Sequence, residues 1–147
     1  MARTLVIAPL GAACLLIAGC GSSASSTPAY VVAGNAICAE QLTQLNRLSL
    51  PSTPEQAVSY LPQALAIMQR ETGRLAALDL PASKRAQLQA GLASALQLST
   101  LLHGVLHKLR SGVVEVSSFT RVQAQSAALK ADIDAHLRQA GLARCAQ

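Results

Sequence analysis

The sequence predicts an all-α fold, an antiparallel up-down-up-down four-helix bundle, on three observations. Apolar residues recur at steps of three and four in four successive stretches, the period of a half-buried helix. Proline and glycine punctuate the gaps between those stretches, and the gaps are short. The composition is 51% hydrophobic but only 2% aromatic, with no Trp, two Tyr (Tyr30 and Tyr60) and one Phe (Phe119). A core made of Leu, Ala, Ile and Val favours close-packed helices over a sheet sandwich. No alternating strand pattern, hairpin dipeptide or internal repeat competes with this reading.

The first helix is expected to start between Ala29 and Asn35 and to end near Leu48. Asn35 suits the N-cap, where its side chain can accept from first-turn donors. Ile37, Cys38, Leu42, Leu45 and Leu48 then share a face, and Leu50-Pro51-Ser52 breaks the pattern.

The second helix opens with Thr53 at the N-cap, Pro54 at N1 and Gln56 at N3, the spacing of a capping box. Val58, Leu61, Leu65, Met68, Thr72 and Leu75 form a bundle seam. Pro62 lies inside it, and a kink is expected there because proline lacks the N–H and crowds the preceding turn. The seam keeps its phase across Pro62, which favours one kinked helix over two short ones.

Leu80-Pro81 separates this helix from a third, expected from about 83 to 110. Its inner face is Leu88, Leu92, Ala95, Ser99, Leu102, Leu106 and Leu109, widened by Leu98, Leu101 and Val105. Ser111-Gly112 ends it. The fourth helix begins between Val113 and Ser118, since the valines there are weak helix formers. Val116, Phe119, Val122, Ser126, Leu129, Ile133 and Leu137 make its seam. Gly141 fits the C′ position of a Schellman stop, with Leu142 as the hydrophobic residue at C″. Lys130 and Arg138 flank Asp134 at four residues on either side, as on a solvated helix face.

Upstream of the helices, residues 1–19 have the three parts of a secretory signal: Arg3, an apolar run from Leu5 to Ile17, and the small residues Ala18 and Gly19. The run is shorter than the ~20 apolar residues of a spanning helix and contains Pro9. A single Arg gives no twin-arginine signal. Ile17-Ala18-Gly19-Cys20 resembles the lipobox of bacterial lipoproteins. That resemblance implies a diacylglyceryl group on the Cys20 thiol, cleavage just before Cys20, and possible palmitate on the new amine. Two or three acyl chains would hold the chain to a membrane durably, at ~0.8 kcal/mol per buried methylene. Residues 20–33 then read as the lipidated cysteine and a flexible Ser/Gly/Thr tether, and 34–147 as the bundle domain. Gly21, not Asp, follows Cys20, so the resemblance leaves inner and outer membrane both open.

With Cys14 discarded in the leader and Cys20 lipidated, Cys38 and Cys145 remain. In an oxidising exported compartment an even pair reads as a disulfide. An alternating bundle brings the first half of helix one and the end of helix four to the same end. Two buried thiols or a metal pair are the alternatives. His103 and His107, spaced i, i+4, leave one side of helix three and could chelate a metal or approach a haem. His136 could join them if helices three and four pack edge to edge. Boundary histidines with wet tips are the commoner explanation.

No nucleophile elbow, phosphate-binding glycine loop or zinc-finger spacing is present, so the expectation is no enzyme and no cofactor. Lys and Arg number 12 against 7 Asp and Glu. The excess is scattered and few aromatics are on hand for stacking, which disfavours nucleic acid. Beyond the leader, the two flanking cysteines and the Gly141-Leu142 stop resemble small helical lipoproteins of bacterial envelopes. That resemblance carries no assigned activity, and the expectation is a non-catalytic envelope module that docks a protein partner or cell-wall component. The alternative is an extracytoplasmic ligand, metal or haem carrier using the His103/His107 edge.

Overall fold

The computed structural model describes residues 27–112 and 116–146, with the backbone alone at 116–119. The leader, Cys14, Cys20 and the first part of the tether lie outside the described residues, as do Val113, Val114 and the side chains of Val116 and Phe119. Among the described residues the chain forms four α-helices and no strand. They are α1 (Ala29–Asn46), α2 (Pro54–Ala76), α3 (Ala82–Arg110) and α4 (Val116–Gln139). A single 3-10 turn, Ala143–Cys145, follows α4.

Helix α1 starts at Ala29, with Pro28 before it, and Asn35 lies inside the helix instead of capping it. The expected tether therefore loses residues 29–33 to the helix. The cause is tertiary: Tyr30 packs against the core cluster, and Gly34 is buried against Leu142 and Leu78. Packing overrides the weak propensity of Tyr30, Val31 and Val32. At its other end α1 stops at Asn46, two residues before Leu48, and Leu48 N–H donates to the Leu45 carbonyl in a tightened last turn.

The α2 start follows its local chemistry. Thr53 Oγ1 accepts from the Gln56 backbone N–H at 3.3 Å, and Pro54 occupies N1. The returning bond differs from a simple capping box by one residue. Gln56 Oε1 accepts from the backbone N–H and hydroxyl of Ser52, at 2.8 and 2.9 Å. Helix α2 includes Pro62 and is unbroken from Pro54 through Ala76.

Helix α4 ends as a Schellman motif. Leu142 N–H donates to the Leu137 carbonyl at 2.8 Å and Gly141 N–H to the Arg138 carbonyl at 2.9 Å. Gly141 takes φ 91°, a conformation that glycine reaches without a Cβ clash. The stop turns the chain back, so Leu142 enters the core fully buried.

That core is Ile37, Cys38, Leu75, Leu80, Leu88, Leu137, Ala140 and Leu142. Every helix contributes, as do the α2–α3 connection and the C-terminal segment. Full burial of each leucine is worth about 1.5–3 kcal/mol. Backbone packing runs in chain order, α1 on α2, α2 on α3, and most extensively α3 on α4. Gly91 permits that last approach: a Cβ there would meet His136 Cβ at 3.3 Å. The backbones of α1 and α4 do not meet among the described residues; the turn at Ala143–Cys145 packs on both. Among the described residues, α1 and α4 are thus joined at one end and stand apart along the rest.

Candidate functional site

The opening between α1 and α4 is a cleft of about 240 Å³. Its walls come from equivalent two-turn segments of all four helices. Gln41, Leu42 and Leu45 face it from α1, Met68 and Thr72 from α2. Leu92, Ala95 and Leu98 form the α3 side, and Ile133 and Leu137 the α4 side. Cys38 and Cys145, joined as a disulfide with Cα atoms 5.0 Å apart, close one end. Leu42, expected on the inner face of helix one, is 44% exposed at the lip, because no α4 backbone covers it.

Polar groups on this cleft are few and mostly matched. Glu71 is fully buried at its wall, and both carboxylate oxygens accept from Arg74 Nη1, at 3.2 and 3.3 Å. Arg74 in turn bonds Glu40 of α1 at 2.6 Å. That hydrogen bond, with the Arg74 charge behind it, holds the Glu40 carboxyl below the ordinary carboxylate range and raises Arg74. Thr72 donates its hydroxyl to the Met68 carbonyl. Asp134 pairs with Lys130 at 2.7 Å and is only 16% exposed, so it borders the cleft and does not sit on a solvated face. Arg138 does not join that pair; it donates to the Ala146 carbonyl.

Arg144 is the exception. Its backbone N–H is fixed by Asn35 Oδ1 at 3.1 Å, and its neighbour Cys145 is held by the disulfide. Arg144 lines the cleft and is exposed, without an ion-pair partner among the described residues.

Glu71 is absent from the sequence-based seam of helix two. Ala64, Ile67 and Leu75, all buried, form a second stripe at steps of three, four and four that includes position 71. That stripe was the available signal, hidden by the charge at its centre.

The histidines do not converge. His103 and His107 are exposed on α3, and His103 Nε2 lies 3.4 Å from Gln69 Nε2, which can donate to it. His136 is half-buried, with Nδ1 3.2 Å from Oε1 of Gln87 near the start of α3. Gln87 and His103 are about 24 Å apart along α3, at 1.5 Å per residue. Among the described residues no three His, Cys, Asp or Glu side chains gather as a metal site. None of the described helices is long and apolar enough to cross a membrane. No protein-family model, curated protein or solved structure matches this chain.

Proposed function

We propose that this chain is a lipid-anchored, non-catalytic binding module of the bacterial cell envelope, which takes up a small apolar molecule in the α1–α4 cleft. The cleft is the observation that carries the binding part: an aliphatic recess left open where α1 and α4 part. The lipobox-like Ile17-Ala18-Gly19-Cys20 supports the anchor, and the paired Cys38 and Cys145 suit an oxidising exported compartment.

In this reading the helices alternate in direction. Glu40 and Gln44 ascend α1 while their partners Arg74 and Arg70 descend α2. Lys84 and Gln87 ascend α3 while Gln139 and His136 descend α4. Helix α2 kinks at Pro62, and the Gln63 side-chain amide, donating to the Ser59 carbonyl at 2.9 Å, supports the turn that proline disturbs.

Docking of an envelope protein or cell-wall component is the second reading. The exposed apolar residues Val32, Leu50 and Leu96 favour it, but they stand on α1, the α1–α2 connection and α3 and do not adjoin the cleft wall. Metal or haem carriage at His103 and His107 ranks below both, since His136 sits elsewhere.

Metabolic labelling with palmitate in a bacterium producing the full chain tests the anchor. Label is expected on the protein in the membrane fraction and absent in Cys20→Ala. Label retained in that variant, or an unlabelled wild type, would refute the anchor.

A further inference from the structure

We infer that the cleft accepts a single-chain alkyl carboxylate, with its headgroup on Arg144 and its chain along the aliphatic wall; this rests on the cleft-binding reading above. The shape of the recess argues for one chain. Its lining runs from Cys38 to Leu45 on α1, and the matching segment of α3 runs from Gly91 to Leu98. Seven residues of helix span about 10 Å. A recess of that length and about 240 Å³ is one hydrocarbon chain wide. Among the described residues the wall offers Leu and Met side chains and no aromatic ring, which suits a flexible chain better than a flat ligand.

Charge selects the headgroup. Glu71 already holds Arg74, which it shares with Glu40, and Asp134 holds Lys130. Among the described residues that line the cleft, Arg144 is the cation without an ion-pair partner, and its guanidinium fork is suited to a carboxylate. Its backbone is held by Asn35 and by the adjacent disulfide, so only the side chain is left to order on binding. Glu71, buried in the wall, repels an anion placed deeper. The carboxylate therefore stays at the disulfide end, and the methyl end points toward Met68 and Leu98.

The test uses the full chain in membranes of the producing bacterium. Photoreactive decanoate is compared with decanol and decylamine carrying the same reactive group, and adducts are located by mass spectrometry. The inference expects cleft adducts with a clear preference for the carboxylate. Arg144→Gln should lower carboxylate labelling about tenfold or more, while Arg144→Lys keeps much of it. Helical circular dichroism and an intact disulfide confirm that both variants fold. Equal labelling by the three probes, a preference for the amine, or no effect of Arg144→Gln overturns the anionic headgroup while leaving a cleft that binds. No cleft adduct with any probe overturns both the inference and the cleft-binding reading.

Discussion

Glu71 is a carboxylate with no exposed surface in a core made mostly of aliphatic side chains. Burying a charge is tolerable only when it is paired and hydrogen-bonded, and one nitrogen of Arg74 serves both its oxygens. Arg74 therefore has two unequal partners. Glu40 is half-exposed, so water can replace Arg74 there; Glu71 has no such substitute. Arg74→Ala should accordingly lower the urea midpoint more than Glu40→Gln, and equal losses would mean that Glu71 finds another donor. The acid limb follows from the direction of the Glu40 shift. Its folded pKa is depressed, chiefly by the Arg74 hydrogen bond, so its contribution is complete above the ordinary carboxylate range. That contribution disappears as pH falls through the folded value. Glu40→Gln should flatten this part of the stability-against-pH curve, measured by urea unfolding at a series of acidic pH values. A curve parallel to the wild type would remove the pair from the account.

Helix ends divide by where their cause lies. Thr53, Pro54 and Gly141 act on backbone groups within a few residues, so the start of α2 and the stop of α4 were legible in the sequence. The start of α1 was not, because Tyr30 packs on the core cluster and Gly34 against Leu142 and Leu78, far along the chain. The same holds for Leu42 and Asp134. Their periodicity is that of an inner and an outer face, but the gap between α1 and α4 exposes the first and half-buries the second. Glycines carry this distinction into a prediction. A Cβ on Gly34 would lie 2.5 Å from Leu142 Cδ2 and 3.2 Å from Leu78 Cδ1, whereas one on Gly73 meets nothing within 4 Å. Gly34→Ala should therefore cost about 1–3 kcal/mol by overpacking the seat of α1. Gly73→Ala, on the exposed side of α2, should gain roughly 0.5–1 kcal/mol through helix propensity alone. Denaturant unfolding of the two variants side by side checks this, and a stabilised Gly34→Ala would show that the C-terminal segment is not tightly seated on α1.

At the scale of the molecule, the open side decides what the disulfide does. In a bundle whose first and last helices touch, a bridge between them would duplicate existing packing. Here α1 and α4 meet through the Ala143–Cys145 turn, held by the Cys38–Cys145 bond, the Schellman stop and buried Leu142. The bond closes a loop with a sequence separation of 107, so it constrains nearly the whole unfolded domain. Its removal in Cys38→Ser/Cys145→Ser should cost about 2–5 kcal/mol. The double variant avoids a lone thiol that could pair with another chain. Loss should also be structural, because Cys145 and Arg144 form one end of the cleft. With the bond gone, amide exchange should accelerate first at 143–146 and in the early turns of α1, where Asn35 holds Arg144. Reductant should move the wild type to the variant's urea midpoint and leave the variant unchanged. If the variant instead matches the oxidised wild type in midpoint and exchange, then Leu142 and its neighbours close the bundle unaided, and the bond is dispensable to the fold.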